Sequence, residues 1–239
     1  SMLLEFSCEN HRSIKDRVVF SALAGTDKEH NEMLYKFNSY KVLSTAAIYG
    51  ANGSGKSNLL HAIDFVQGLV VNSIHHQPGQ VIRQQVHKMA GSDSVSRYSI
   101  LFVANKVRYA FGFSLQYGTV IDEYLYYFPK GRQTKIFERS ADGFTEGGKF
   151  KKKLETCNDV FAPNRLLLSC AANFSQVAEI KEAYAFFRDD IVIYRTENVQ
   201  RWMQYSLAKI NEDEVVKKLL IAFLQAMDVD ARDIRVKME

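Results

Sequence analysis

Two hydrophobic periods organise the chain. Between residues 96 and 139 the period is two. Tyr98, Ile100 and Phe102 alternate with Arg97, Ser99 and Leu101, and Val107, Tyr109, Phe111, Phe113 and Leu115 alternate again. Residues 120–128 and 134–139 continue the pattern, which predicts four strands in an antiparallel meander. Ala104-Asn105-Lys106 and Tyr117-Gly118 have the residue types of hairpin turns. Near the start, Leu4, Phe6 and Cys8 oppose Leu3, Glu5 and Ser7 and predict a strand, with Val18-Val19-Phe20 pairing back on it. Helical spacing takes over elsewhere. Leu59, Leu60, Ile63, Val66, Leu69 and Val70 predict a helix from about residue 54 to about 72. Val177, Ile180, Tyr184 and Phe187 predict one over 176–188, and Val215, Leu219, Phe223 and Met227 one over 212–227 with Asn211 as its cap. Weaker signals mark a helix over 81–89, a short element over 33–37, a strand or helix start over 166–170, and strands over 190–194 and 234–236. Breaks fall at Pro78-Gly79, at 91–94 and at 143–148.

The candidate chemistry sits where an apolar run, residues 42–49, meets the first helix. Gly50-Ala51-Asn52-Gly53-Ser54-Gly55-Lys56-Ser57 is a G-x-x-x-x-G-K-[ST] phosphate loop in strand–loop–helix context. Gly50, Gly53 and Gly55 let the backbone turn tightly and approach a ligand closely. The loop amides then point at the α- and β-phosphates, Lys56 places its charge near the β- and γ-phosphates, and Ser57 offers a hydroxyl to Mg²⁺. The helix behind them adds unpaired amides and a dipole that favours an anion. The plain alternative is a flexible glycine turn beside a surface lysine.

Composition narrows the class. The 239 residues have enough apolar content for a real core in one or two domains. No run of about 20 uncharged apolar residues predicts a membrane span. Ser1-Met2-Leu3-Leu4 does not read as a signal peptide, and three scattered cysteines, Cys8, Cys157 and Cys170, fit a reducing cytoplasm. Their spacing suggests no zinc site, and His75-His76 reads as a solvated loop. A formal charge of +4 permits nucleic-acid contact without arguing for it. Lys149, Lys151, Lys152 and Lys153 read as a solvated face, and the meander's aromatics as core rather than a base-stacking surface.

Hydrolysis needs more than a phosphate loop: a carboxylate to hold Mg²⁺ and a group to orient water. The usual source is an acid at the end of four buried apolar residues. Thr119-Val120-Ile121-Asp122-Glu123 has too short an apolar lead, and fits a meander strand with Asp122 or Glu123 facing solvent. Asp189-Asp190 precedes its apolar run instead of following it.

Asn10-His11-Arg12-Ser13-Ile14-Lys15-Asp16 resembles the "N-F-R-S-F-K-D" opening of the AAA15-type, overcoming-lysogenization-defect-like ATPases, with His11 where phenylalanine is usual. Residues 49–60, Tyr49 to Leu60, resemble that family's phosphate loop and those of the structural-maintenance-of-chromosomes, Rad50 and RecF proteins. The resemblance implies an ABC-type ATPase head that binds ATP and Mg²⁺. It implies nucleotide contacts at Arg12, Ser13, Gly50, Asn52, Gly53, Ser54, Gly55, Lys56, Ser57 and Asn58, with Lys56 the catalytic lysine and Ser57 the metal ligand. It implies a homodimer closing around two nucleotides, and service in anti-phage defence or DNA maintenance with a DNA or effector-protein partner. The signature motif, the magnesium-binding strand and the switch histidine have no matching positions, so the chain reads as the N-terminal part of such a head.

The expected fold is therefore α/β, a P-loop NTPase lobe of ABC type with an antiparallel meander inserted after the nucleotide helix. Residues 1–95 carry the first strands and the phosphate loop, 96–147 the meander and 148–239 a mostly helical segment. Two rivals share the loop. One is a non-hydrolysing nucleotide sensor or nucleic-acid- or protein-binding module. The other is a P-loop kinase, which the meander directly after residue 95 disfavours.

Overall fold

The strand-forming alternation assembles a single seven-stranded antiparallel sheet, in the spatial order Val18–Ser21, Met2–Glu9, Ser96–Ala104, Val107–Gln116, Thr119–Phe128, Thr134–Ser140, Phe144–Glu146. The computed structural model describes residues 1–21, 34–37, 40–43, 56–91 and 93–191. Ser1–Ile191 makes one compact unit, and the remainder lies outside the described residues. Strands β1 (Met2–Glu9) and β2 (Val18–Ser21) form the expected hairpin, with Phe6 opposite Phe20. The meander is β5 (Ser96–Ala104), β6 (Val107–Gln116), β7 (Thr119–Phe128) and β8 (Thr134–Ser140). Its first strand pairs directly with β1, Phe6 opposite Ile100 and Ser7 opposite Ser99, so the sheet is continuous from the N-terminal hairpin onward. Strands β3 (Leu34–Phe37) and β4 (Tyr40–Leu43) form a separate hairpin, which supplies the element expected over 33–37.

One face of the large sheet is the core. Phe6, Cys8, Tyr98, Ile100, Phe102, Tyr109, Phe111 and Phe113 are buried there. Most aromatics of the meander are thus core, whereas Tyr124, Tyr126 and Phe128 are half-buried and Tyr117 is exposed. The face is covered by helices α1 (Lys56–Asn72), α2 (Leu167–Phe174) and α3 (Ala178–Ala185), the last running into a π-helical turn at Phe186–Asp190. Phe186 stacks on Phe102 at 4.2 Å, and Phe187 meets Phe102 and Phe111 edge-on. Each such ring pair adds about 0.5–1.5 kcal/mol beyond area burial. The architecture is mixed α/β, a central antiparallel meander flanked by helices.

Several local expectations need correction. A β-bulge between Leu3 and Glu5 breaks the alternation of β1, and Leu4 is buried beside Val103 in a small cluster of its own. A fifth meander strand, β9 (Phe144–Glu146), pairs with β8 inside the break expected at 143–148. Of the two readings for 166–170, a strand or a helix start, the helix start holds, with Leu166 leading into α2. The strand expected from residue 190 starts within the π-helical turn, and 192–194, 212–227 and 234–236 lie outside the described residues.

The helix expected over 81–89 is absent, because this segment spends its backbone groups on other parts of the molecule. Ile82 donates to the Gly118 carbonyl at 2.8 Å, and the Gln85 carbonyl accepts from Arg12 at 2.7 Å. Gln84 braces the strap from its side chain, donating to Ser96 Oγ and the Leu115 carbonyl and accepting from the Gly118 amide. Gly118 has φ +69°, and a Cβ there would stand 2.6 Å from the Ile82 carbonyl oxygen. Gly118→Ala is expected to cost about 1–3 kcal/mol from backbone conformation and this clash together. Urea denaturation checks it; a loss under about 0.5 kcal/mol would mean the strap does not dock on the β6–β7 turn.

Candidate nucleotide-binding site

Helix α1 is built as its spacing predicts. Leu59, Ala62, Ile63, Val66, Leu69 and Val70 are buried, while Leu60, counted on the same stripe, is exposed. Lys56 and Ser57 occupy the first turn of this 17-residue helix, and that turn carries no acidic residue. An acid is the usual neutraliser of a helix N-terminus, and its absence from this turn leaves the dipole's preference for an anion unopposed there. A helix start of this kind favours a phosphate, with no carboxylate in the turn to oppose it. Gly50, Asn52, Gly53, Ser54 and Gly55 lie outside the described residues, and Asn58 is half-buried on the helix.

The segment after β1 is held in a tight, strained turn. Asn10 and Arg12 both have φ 53°, left-handed values that a non-glycine residue adopts at a cost. The Asn10 side chain fixes it from inside, donating to Ser94 Oγ at 2.9 Å and to the Val95 carbonyl, and accepting from the His87 amide at 2.8 Å. His11 closes a bridge to Ile14, and Arg12 donates through both its backbone amide and Nε to Gln85. The rest of the Arg12 side chain and Ser13 are exposed. The turn therefore presents Arg12 and Ser13 outward on a braced loop. Asn10, Gln84 and Gln85 provide the bracing, and the sequence gives no sign of it beyond an asparagine just after a strand.

His11 is fully buried, and connects this turn to α1. Its Nδ1 shares a hydrogen bond of 2.8 Å with the Tyr98 hydroxyl, and its ring lies 5.5 Å from that of Phe65 on α1. Its Nε2 has no hydrogen-bond partner among the described residues. Burial, with Arg12 and His61 adding repulsion, lowers its pKa from 6.5 to about 4. The imidazole is neutral at physiological pH.

The two acids of β7 divide as the alternation of a meander strand requires, one to each face. Asp122 faces solvent, but Glu123 is buried. Its two carboxylate oxygens accept from the Leu167 and Leu168 amides at 2.6 and 2.8 Å, capping α2, and Arg139 stands 3.6 Å away. Burial pushes the carboxyl up, to about 7, against the pull of Arg139 and of the two amides. With its oxygens committed to a helix end, Glu123 is a structural group rather than the magnesium acid. Among the described residues no group of three or more His, Cys, Asp or Glu side chains gathers to hold a metal. The three cysteines are free and buried, and Lys149 of the basic cluster pairs with Glu179 at 2.8 Å.

Residues 46–220 match the model of a protein family described as "AAA domain, putative AbiEii toxin, Type IV TA system". The chain belongs to this family. The match begins before the glycine loop and runs through strands β5 to β9 and the helices packed on the sheet, so the AAA-type ATPase domain takes in most of the chain, with β1 and β2 ahead of it. No curated protein matches the sequence. No helix among the described residues is long and apolar enough to cross a membrane.

Proposed function

We propose that this chain is the Mg-ATP-binding lobe of an ABC-type ATPase of the AAA15, overcoming-lysogenization-defect-like kind. The observation that carries the reading is Gly50-Ala51-Asn52-Gly53-Ser54-Gly55-Lys56-Ser57 at the head of a long helix with an acid-free first turn, inside an AAA-domain family match. In this reading the loop amides and Lys56 hold the β- and γ-phosphates, Ser57 contributes a hydroxyl to Mg²⁺, and Asn52, Ser54 and Asn58 complete the contacts. Arg12 and Ser13 lie at the nucleotide's edge on the braced turn. The bound metal supplies charge neutralisation on the phosphates. The lysine supplies a fixed positive charge that grows in value as charge develops on the transferred phosphoryl group.

The proposal extends to the intact assembly: a cytoplasmic homodimer closed by nucleotide, acting with a DNA or protein effector in anti-phage defence. The toxin–antitoxin wording of the family description favours the defence role over DNA maintenance. The structural use of Glu123 favours binding over turnover for this chain by itself, which is the sensor-like alternative. Calorimetry with Mg-ATP tests the reading. Binding should be measurable, and Lys56→Ala should weaken it by at least about thirtyfold, the loss of about 2 kcal/mol of charge-assisted contact. A folded protein that binds nucleotide equally well without Lys56, or not at all, would end the proposal. Asp122→Asn should leave any phosphate release unchanged, because that acid stands on the solvent side of the meander.

A further inference from the structure

The sheet face turned away from the helices contains a hollow of about 280 Å³. Its floor exists because three neighbouring strands place small residues side by side: Ser7 pairs with Ser99, and Ser99 with Gly112. The first two hydroxyls satisfy each other at 2.5 Å. The Tyr124 ring lies down over the glycine, where a Cβ at Gly112 would stand 2.5 Å from the phenol oxygen. Tyr126 stacks behind it at 5.1 Å and holds it there.

The next cross-strand row carries charge. It reads Glu9, Arg97, Ser114, Asp122 across β1, β5, β6 and β7. A cation and an anion flank Ser114 on the two sides, with a hydroxyl between them where a direct pair would otherwise close. Ser114 is 5% exposed, lines the hollow, and makes no side-chain hydrogen bond to the described residues. Arg97 reaches Glu9 only at 3.4 Å, and Asp122 has no ion-pair partner among the described residues. Arg17, just before β2, brings a second guanidinium to the rim, close enough to act on the Tyr124 phenol.

Coulomb balance selects the occupant. Two guanidiniums and two carboxylates surround one small space. A phosphate dianion would meet both carboxylates, and a dication both guanidiniums. A molecule with one charge of each sign satisfies the row as it stands. The volume is at the small end of ligand pockets, about 300–1,000 Å³, which suits a free metabolite rather than a nucleotide. We propose that this hollow binds a small zwitterion of the α-amino-acid type. Its carboxylate lies toward Arg97 and Arg17, its ammonium toward Asp122, and Ser114 and Tyr124 hydrogen-bond between them. The site uses none of the glycine-loop residues and does not depend on the nucleotide reading.

The test presents the whole chain with the twenty L-amino acids one at a time, at about 10 mM, by thermal shift and by saturation-transfer NMR. A ligand bound ten times above its dissociation constant should raise the Tm by about 3 °C. Binding should weaken at least tenfold in Arg97→Gln and in Asp122→Asn, both surface changes that leave the core intact. The N-acetyl and carboxamide forms of the same amino acid should each fail to bind, since each lacks one charge. Lys56→Ala should bind the amino acid as well as the unaltered chain does. A panel without saturable binding would overturn the proposal. So would binding that survives both variants, or inorganic phosphate binding to the hollow in place of amino acids.

Discussion

Replacing Glu123 with alanine should destabilise the protein by about 3–5 kcal/mol, the usual cost of leaving one member of a buried ion pair alone. Arg139 would remain buried with its charge uncompensated. It would keep its hydrogen bonds to the Arg165 and Ala162 carbonyls and its position 4.5 Å from the centre of the Phe161 ring, but it would lose its counter-charge. Helix α2 would also lose the acceptors of its first two amides, leaving only the Ser73 hydroxyl on the Leu166 amide at that end. For a chain of this size the Tm should fall by roughly 10 °C. Glu123→Gln retains an acceptor for one amide and should fall between the two. The comparison belongs at pH 8, where the carboxylate is charged although burial raises it to about 7. The exposed pair Arg188–Asp189 is the internal control: Asp189→Ala should leave stability essentially unchanged, because solvent screens such pairs. Urea unfolding measures all three. A Glu123→Ala loss no larger than the Asp189→Ala loss would mean that the pair and cap do not hold α2 on the sheet.

The same residue marks where reading the sequence stops. The strand carrying Glu123 is legible from alternation alone, as are β1, β2, β5, β6 and β8, because a half-buried strand writes its two faces into every second residue. Helices α1 and α3 are legible for the same reason at the other period. What Glu123 does is not legible, since its partners are helix amides 44 and 45 residues further on. Alternation even assigns one of the two acids to solvent correctly, but does not say that the other anchors a helix. The strap over 81–89 fails for a related reason. Its apolar residues mimic a weak helical stripe, but only Ile82 among them is buried, and its backbone is claimed by Gly118 and Arg12. The phosphate loop is the reverse case. Its chemistry is written entirely in local residue types, Gly50 to Ser57, so sequence alone proposes it. The bracing of Arg12 by Gln85 arises only when two distant segments meet.

His11→Phe should make stability markedly less sensitive to acid. In the unfolded chain the imidazole titrates near its ordinary 6.5, and in the folded protein near 4. Between those values the unfolded chain binds more protons, so the folded state loses stability as pH falls from about 6.5 toward 4. The full shift corresponds to about 3 kcal/mol at 1.36 kcal/mol for each pH unit, an upper figure for a group whose surroundings relax. Phenylalanine has no proton to take up. Near pH 7.5 the two proteins should differ by no more than about 1 kcal/mol, because two effects oppose. The substitution removes the Nε2 that has no partner among the described residues, which stabilises. It also deprives the Tyr98 hydroxyl of its partner, which destabilises. The difference should then grow in favour of phenylalanine down to about pH 4, and other acid-titrating groups cancel because both proteins contain them. Adding Tyr98→Phe removes the second orphan and should leave the double variant more stable than the parent at every pH in the range. Urea unfolding at pH 7.5, 6, 5 and 4.5 reads the outcome. A stability difference that stays constant across that series would mean that His11 is not held neutral between the N-terminal turn and helix α1, and that the contact joining them differs from the one described.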